Sequence, residues 1–226
     1  MKPVLELEHV GVAYRRRGGG RYWALRDVSL TLHHGETLGI VGRNGVGKTS
    51  LLKVIAGIIE PDRGRIHNAG VSASLLSLQV GFLPLLTGRE NAILSGMLLG
   101  APRNRLESNM EDMIAFAELE DFIDEPVASY SAGMRARLGF SVAMQADPDV
   151  LLIDEVLGVG DTAFRRKSSD EIHRRIRSNR SVILVSHNIG MMRDLCDRVV
   201  WIEKGVSTMQ GEVDEVLDAY EASTAA

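Results

Sequence analysis

The chain has 226 residues, 45% of them hydrophobic and 25% charged, with a formal net charge of −4. That length can bury a full core in one α/β domain, and the composition is ordinary for a globular chain. The mild negative charge gives no global pull toward nucleic acid, no apolar run approaches the roughly 18 residues of a spanning helix, and a lone Cys196 excludes an internal disulfide and a cysteine zinc site.

Met1-Lys2-Pro3-Val4 opens straight into strand-like sequence without a signal-peptide core, so the chain is expected to stay in the cytoplasm. Short strand patterns fill the first 40 residues, with Val28, Leu30 and Leu32 alternating on one face before a turn at His33-His34-Gly35-Glu36. They predict an N-terminal antiparallel β subdomain. Arg15-Arg16-Arg17 and Gly18-Gly19-Gly20 make a solvated, flexible hairpin loop within it.

The apolar run Leu38-Gly39-Ile40-Val41 then feeds Gly42-Arg43-Asn44-Gly45-Val46-Gly47-Lys48-Thr49-Ser50, a match to G-x-x-x-x-G-K-[ST] in the context of strand before and helix after. Gly42, Gly45 and Gly47 let backbone N–H groups turn inward around a phosphate. Lys48 adds a point charge, and the Thr49 hydroxyl can ligate Mg²⁺. A helix opening near Lys48, with Leu51, Leu52 and Ile55 as its apolar residues, aims its positive end at the same anion.

From Thr87 to about Leu119 the pattern turns helical, and Leu106, Met110, Met113, Ile114 and Ala117 are spaced to share a face. An inserted helical subdomain is expected, at roughly residues 80–145 of a single domain spanning 1–226. Tyr130-Ser131-Ala132-Gly133-Met134 starts a further helix with apolar Met134, Leu138 and Val142. Continuous apolar strands return at Val150-Leu151-Leu152-Ile153 and Val182-Ile183-Leu184-Val185, as in parallel sheets covered on both faces. Between them, Arg165-Arg166-Lys167 through Arg180 reads as a solvated helix face, interrupted by Asp170 and Glu171. Cys196, in the helical stretch Gly190 to Asp197 with no basic partner evident, is expected to be unreactive. A hairpin turning at Lys204-Gly205 and a small helix bearing Val213, Val216, Leu217 and Tyr220 close the chain.

A nucleotide held at Lys48 needs a magnesium ligand and a group to orient water, and acids that end buried strands supply such groups. Asp154-Glu155 ends one. Asp154 can hold Mg²⁺, and Glu155 can accept a proton from water behind the γ-phosphate. His187 ends the next strand and can donate to the γ-phosphate or position Glu155 and the water. His9, His33, His34, His67 and His173 are packing or surface residues on this reading. Ser131, with the backbone N–H groups of its helix start, makes a second anion site. One chain does not easily fold two phosphate sites around one nucleotide. A two-fold dimer does so economically, with Ser131 and Gly133 of one copy closing over the ATP of the other.

Gly42 to Ser50, Tyr130 to Met134, Val150 to Glu155 and Ser186-His187, in this order and at these separations, resemble the ATP-binding subunit of ABC transporters over essentially the whole chain. The resemblance implies a P-loop NTPase α/β core with a mainly parallel sheet. It also implies a head-to-tail homodimer with two ATPs at its interface, docked under two membrane-spanning permease subunits on the cytoplasmic face of the inner membrane. It assigns Asp161 to the loop crossing the dimer interface and Tyr14 to adenine stacking, with Tyr22 and Trp23 as competitors for the base. Family members place a glutamine between the P-loop and the insert to sense Mg²⁺ and the permease. Gln79 is the candidate here, although it is offset from the position that spacing from Thr87 indicates.

Leu86-Thr87-Gly88-Arg89-Glu90-Asn91, Tyr-Ser-x-Gly-Met in place of Leu-Ser-Gly-Gly-Gln, and Glu155-Val156-Leu157-Gly158-Val159-Gly160-Asp161 look like the bacterial polysaccharide-export branch. That branch exports capsular polysaccharide, lipopolysaccharide O-antigen or teichoic acid. Ala132 stands where it usually has serine, and a small residue still permits close approach of backbone to phosphate. The chain ends without the carbohydrate-binding domain that some O-antigen subunits append, so glycan choice is expected to rest with the membrane partner. The alternatives are an ABC subunit for another cargo such as a drug or lipid, a soluble P-loop kinase or switch, and a non-hydrolysing binder.

Overall fold

The computed structural model describes residues 2–16, 18–76, 81–154, 161–178 and 180–225. The chain divides into two compact units: Met1–Leu75 with Asp149–Glu155 and His173–Ala226, and Leu76–Pro148 with Val156–Ile172.

In the first unit, nine strands are found among the described residues: β1 (Pro3–Arg15), β2 (Arg21–His33), β3 (Thr37–Val41), β4 (Arg63–Asn68), β5 (Ala73–Leu75), β6 (Val150–Asp154), β7 (Ser181–Val185), β8 (Arg198–Glu203) and β9 (Val206–Gly211). They make one sheet in the order β4-β1-β2-β9-β8-β3-β7-β6-β5. β1 pairs antiparallel with β2 and β4, as does β8 with β9, whereas β8-β3-β7-β6-β5 is parallel throughout. The antiparallel strands expected as a flanking subdomain thus continue the same sheet, joined to it by the parallel β2–β9 pair.

The parallel strands are apolar because both faces are covered. Every residue of β3 and β7 is buried. Leu38 and Ile40 of β3 pack in one cluster with Leu51, Leu52, Val54 and Ile55 of helix α1 (Lys48–Ile55) and with Val150, Leu152, Ile183 and Val185. Val41 and Val199 pack on the other face, with Met192 of a helix that begins at Ile189 and with Val216 and Leu217 of the C-terminal helix. Gly39 makes that second contact possible, since a Cβ there would sit 2.9 Å from Cys196 Sγ. Burial pushes the Cys196 thiol up to about 12, which favours its protonated form.

The second unit is helical: α2 (Gly88–Leu98), α3 (Arg103–Ser108), α4 (Met110–Ala117), a 3₁₀ turn at Val127–Ser129 and α5 (Ala132–Ala143). The face predicted from Leu106, Met110, Met113, Ile114 and Ala117 is buried in one cluster with Leu138 and Val142. Asn109 breaks that run into two helices, and its side chain donates to Gln145 Oε1 at 2.9 Å. α6 (Thr162–Ile176) begins in this unit, where Phe164 packs edge-on against Phe116 and Phe140 at centroid distances of 5.6 and 5.8 Å.

α7 (Ile189–Leu195) and α8 (Val213–Ala225) complete the first unit. Arg193 of α7 bridges to Asp214, Asp218 and Glu221 of α8, which ties the two helices together. Among the described residues no helix is long and apolar enough to cross a membrane.

Candidate functional site

β3 ends at Val41 and α1 begins at Lys48, so the loop between them is clamped at both ends by buried residues. Gly47 caps α1 in the left-handed region, at φ 105°, and offers no side-chain acceptor. A Cβ at Gly47 would collide with the Ala24 carbonyl oxygen and the Leu25 side chain, so no other residue fits. Gly45 also has positive φ, 80°. Lys48 is buried, and its ammonium donates to the carbonyls of Gly42 at 2.6 Å and Arg43 at 3.1 Å, which holds the charge inside the loop.

Three further elements of the first unit converge on this loop. From β6, Asp154 Oδ2 accepts from Thr49 Oγ1 at 3.0 Å. A hydroxyl and a carboxylate side by side are hard oxygen donors, the set Mg²⁺ takes. From the end of β7, His187 Nε2 lies 2.8 Å from Asn44 Oδ1, which fixes the imidazole against the loop. From the β1–β2 hairpin, the Tyr14 hydroxyl lies 3.1 Å from Ser50 Oγ, and the Tyr22 hydroxyl donates to the Gly45 carbonyl at 3.2 Å. Tyr14, Tyr22, Asn44, Lys48, Thr49 and Asp154 line a cavity of about 350 Å³. Trp23, the other aromatic near this loop in sequence, sits instead under the Arg63 guanidinium, 4.2 Å from its ring centroid.

Gly42 through Ser50, Tyr14, Asp154 and His187 are therefore gathered in one place. Glu155 and Gln79 lie outside the described residues, as does the run from Val156 to Gly160. Two contacts had no sequence signal. Asn44 meets His187 across 143 positions, and Tyr22 reaches Gly45 because the hairpin register sets it directly opposite Tyr14.

Ser131, Gly133 and Asp161 belong to the second unit. Ser131 caps α5, and its hydroxyl accepts from the Met134 N–H at 3.1 Å. A Cβ at Gly133 would find only Ser131 Oγ nearby, at 3.7 Å, so the backbone of this helix start stands in open space. Asp161 Oδ1 accepts from the Phe164 N–H at 2.9 Å, and that hydrogen bond holds its carboxyl below the usual range.

The residues from Thr87 to Asn91 have structural tasks. Thr87 and Glu90 form a reciprocal capping box at the start of α2. Buried Asn91 donates to the carbonyls of Leu83, Leu86 and Thr87 and accepts from the Leu83 N–H, which fixes the preceding loop. Arg89 pairs with Asp124 and Glu111. Gly88 has no room for a Cβ because the Tyr130 hydroxyl occupies that space, donating to the Phe122 carbonyl at 2.6 Å. The Gly88 and Tyr130 motifs are thus one packing unit.

Residues 25–158 match the family described as ABC transporter. The chain belongs to the ABC transporter family. Among ABC relatives, the O-antigen export system ATP-binding protein RfbB of Klebsiella pneumoniae is 43% identical over 217 residues, which cover 96% of this chain and 88% of that protein. The teichoic acids export ATP-binding protein TagH of Listeria monocytogenes is 39% identical over 200 residues, 88% of this chain but only 59% of TagH. A dimeric ATP-binding cassette in a post-hydrolysis state, bound to ADP and Pi, has the same fold, with a TM-score of 0.73 at 22% identity over 92% of this chain and 98% of that one. The α/β P-loop NTPase architecture expected from the sequence is the fold of this ABC subunit, and the chain is an ATPase of that family.

Proposed function

We propose that this chain is the ATP-hydrolysing subunit of an exporter that moves a cell-surface polysaccharide, free or lipid-linked, across the bacterial cytoplasmic membrane. The observation that carries this reading is the 43% identity with the O-antigen export protein over 96% of the chain. The chain sits at the cytoplasmic face of that membrane under two integral permease subunits. It closes as a head-to-tail homodimer with two ATPs between the copies.

The geometry around the loop supports the following roles. Lys48, held inside the loop by two carbonyls, neutralises phosphate charge as a triphosphate enters. Thr49 and Asp154, whose side-chain oxygens lie together, would hold Mg²⁺, which would offset phosphate charge. Tyr14 supports the adenine. His187, steadied by Asn44, stands beside the loop to contact the γ-phosphate. Glu155 follows Asp154 in the chain and accepts a proton from the attacking water. Ser131, Gly133 and Asp161 act on the nucleotide of the opposite copy, where the open backbone at Gly133 suits close approach of a phosphate. Force comes from differential binding, because ATP favours the closed dimer over the open one. The helical unit passes the change to the permease, and it exposes Leu85, Met97 and Leu98 as apolar contacts for such a partner.

The test is the Glu155→Gln variant with Mg-ATP. It is expected to keep ATP binding, to lose at least roughly a hundredfold in phosphate release, and to elute as a dimer in size-exclusion chromatography. A variant that binds ATP yet stays monomeric at every concentration defeats the sandwich. Export of the glycan in cells that lack this chain defeats the cargo assignment.

A further inference from the structure

Tyr14 on β1 and Tyr22 on β2 are direct cross-strand partners, so their side chains share a face of the hairpin. The two hydroxyls reach different parts of the phosphate loop. Tyr14 meets Ser50 within α1, 3.1 Å away, whereas Tyr22 donates to the carbonyl oxygen of Gly45 at 3.2 Å, in the middle of the loop. The peptide joining Gly45 to Val46 is a rigid plane in which C=O and N–H point in opposite directions. A hydroxyl that holds the Gly45 carbonyl out toward the hairpin therefore turns the Val46 N–H the other way, into the loop. There the Val46 N–H meets Arg43 O at 3.4 Å, beyond the usual range of such bonds, so the loop itself claims this donor only weakly. The Arg16 guanidinium lies over the Tyr22 ring, 5.5 Å from its centroid, and steadies the ring from the hairpin side.

We propose that Tyr22 is a positioning residue for the triphosphate. Through its hydroxyl on the Gly45 carbonyl it orients the Gly45–Val46 peptide so that the Val46 N–H faces the phosphates, and it leaves the base to Tyr14. The inference rests on the reading of Gly42 to Ser50 as the ATP site. Because it acts on the loop, its effect is independent of the nucleobase.

The experiment compares full-length Tyr22→Phe, Tyr22→Ala and Lys48→Ala with the parent, in binding of ATP, GTP and inorganic tripolyphosphate and in steady-state hydrolysis. Tyr22→Phe keeps the ring and removes the hydroxyl. It is expected to weaken all three ligands by a similar factor, roughly three- to tenfold, the worth of one neutral hydrogen bond. It should also raise KM for ATP more than it lowers kcat, with an unchanged thermal melt. Parental affinity of Tyr22→Phe for all three ligands overturns the assignment. So does a Tyr22→Ala variant that loses ATP but not tripolyphosphate, since the ring is then a base platform. Lys48→Ala separates the two levels. If it retains parental binding, the reading of the loop as the ATP site falls; if it loses binding while Tyr22→Phe does not, only the role of Tyr22 falls.

Discussion

The starts of α1 and α5 present the same electrostatic device, a helix N-terminus, built in opposite ways. α1 opens from Gly47, a left-handed residue with no side chain to offer, pressed against the Ala24 carbonyl. α5 opens from Ser131, an extended residue whose hydroxyl already serves the Met134 N–H, and open space surrounds Gly133. One start is shaped by its own neighbours into a closed cradle. The other is complete as a cap and exposed as a surface. The cradle is completed within one chain, whereas the self-capped start leaves its backbone open to solvent.

The largest break in this comparison comes from charge. Lys48→Ala should cut phosphate release at least roughly a hundredfold, because a transition-state contact is worth about 2.7 to 4 kcal/mol, whereas no substitution at α5 should weaken ATP binding to the monomer. Next comes backbone shape. Gly47→Ala should cost about 1–3 kcal/mol of stability from its strained φ alone, seen as a lowered denaturant midpoint. Ser131→Ala removes an N-cap worth about 1 kcal/mol, a shift of about 2–4 °C in melting temperature for a chain of this size. Gly133→Ala has room for its methyl, so its melt should stay within about 0.5 kcal/mol of the parent while ATP-dependent dimerisation falls. A dimer as strong as the parent's would remove Gly133 from the interface.

The smallest effect is a pH effect. Asp161 is held below the usual carboxyl range by the Phe164 N–H, so the stability it lends is present above about pH 4 and is lost as pH falls through its lowered pKa. An acid titration followed by circular dichroism should lose that component in Asp161→Asn, whose amide caps the helix without titrating.

Much of this is legible in the sequence because the informative residues are local. Gly42 to Ser50 needs only nine consecutive positions to specify a phosphate loop, and the apolar runs of β6 and β7 announce strands buried on both faces. The helix start at Ser131 was legible for the same reason, since the bond that caps it reaches only three residues on. The break at Asn109 was not, because Leu106, Met110 and Met113 keep helical spacing across it and periodicity cannot see a partner such as Gln145. Nor was the task of the Thr87 to Asn91 run, whose Gly88 is explained by the backbone of Ile123 and by the hydroxyl of a residue 42 positions later.

The sequence by itself determined which groups this ABC subunit gathers around its phosphate-loop motif, because charge, hydroxyl and glycine freedom are properties of single residues and short spacings. Tertiary structure alone decided how they are aimed. The bond from His187 to Asn44 and the placing of Tyr22 against Gly45 come from strand order and hairpin register, which depend on the burial of the whole sheet rather than on any motif.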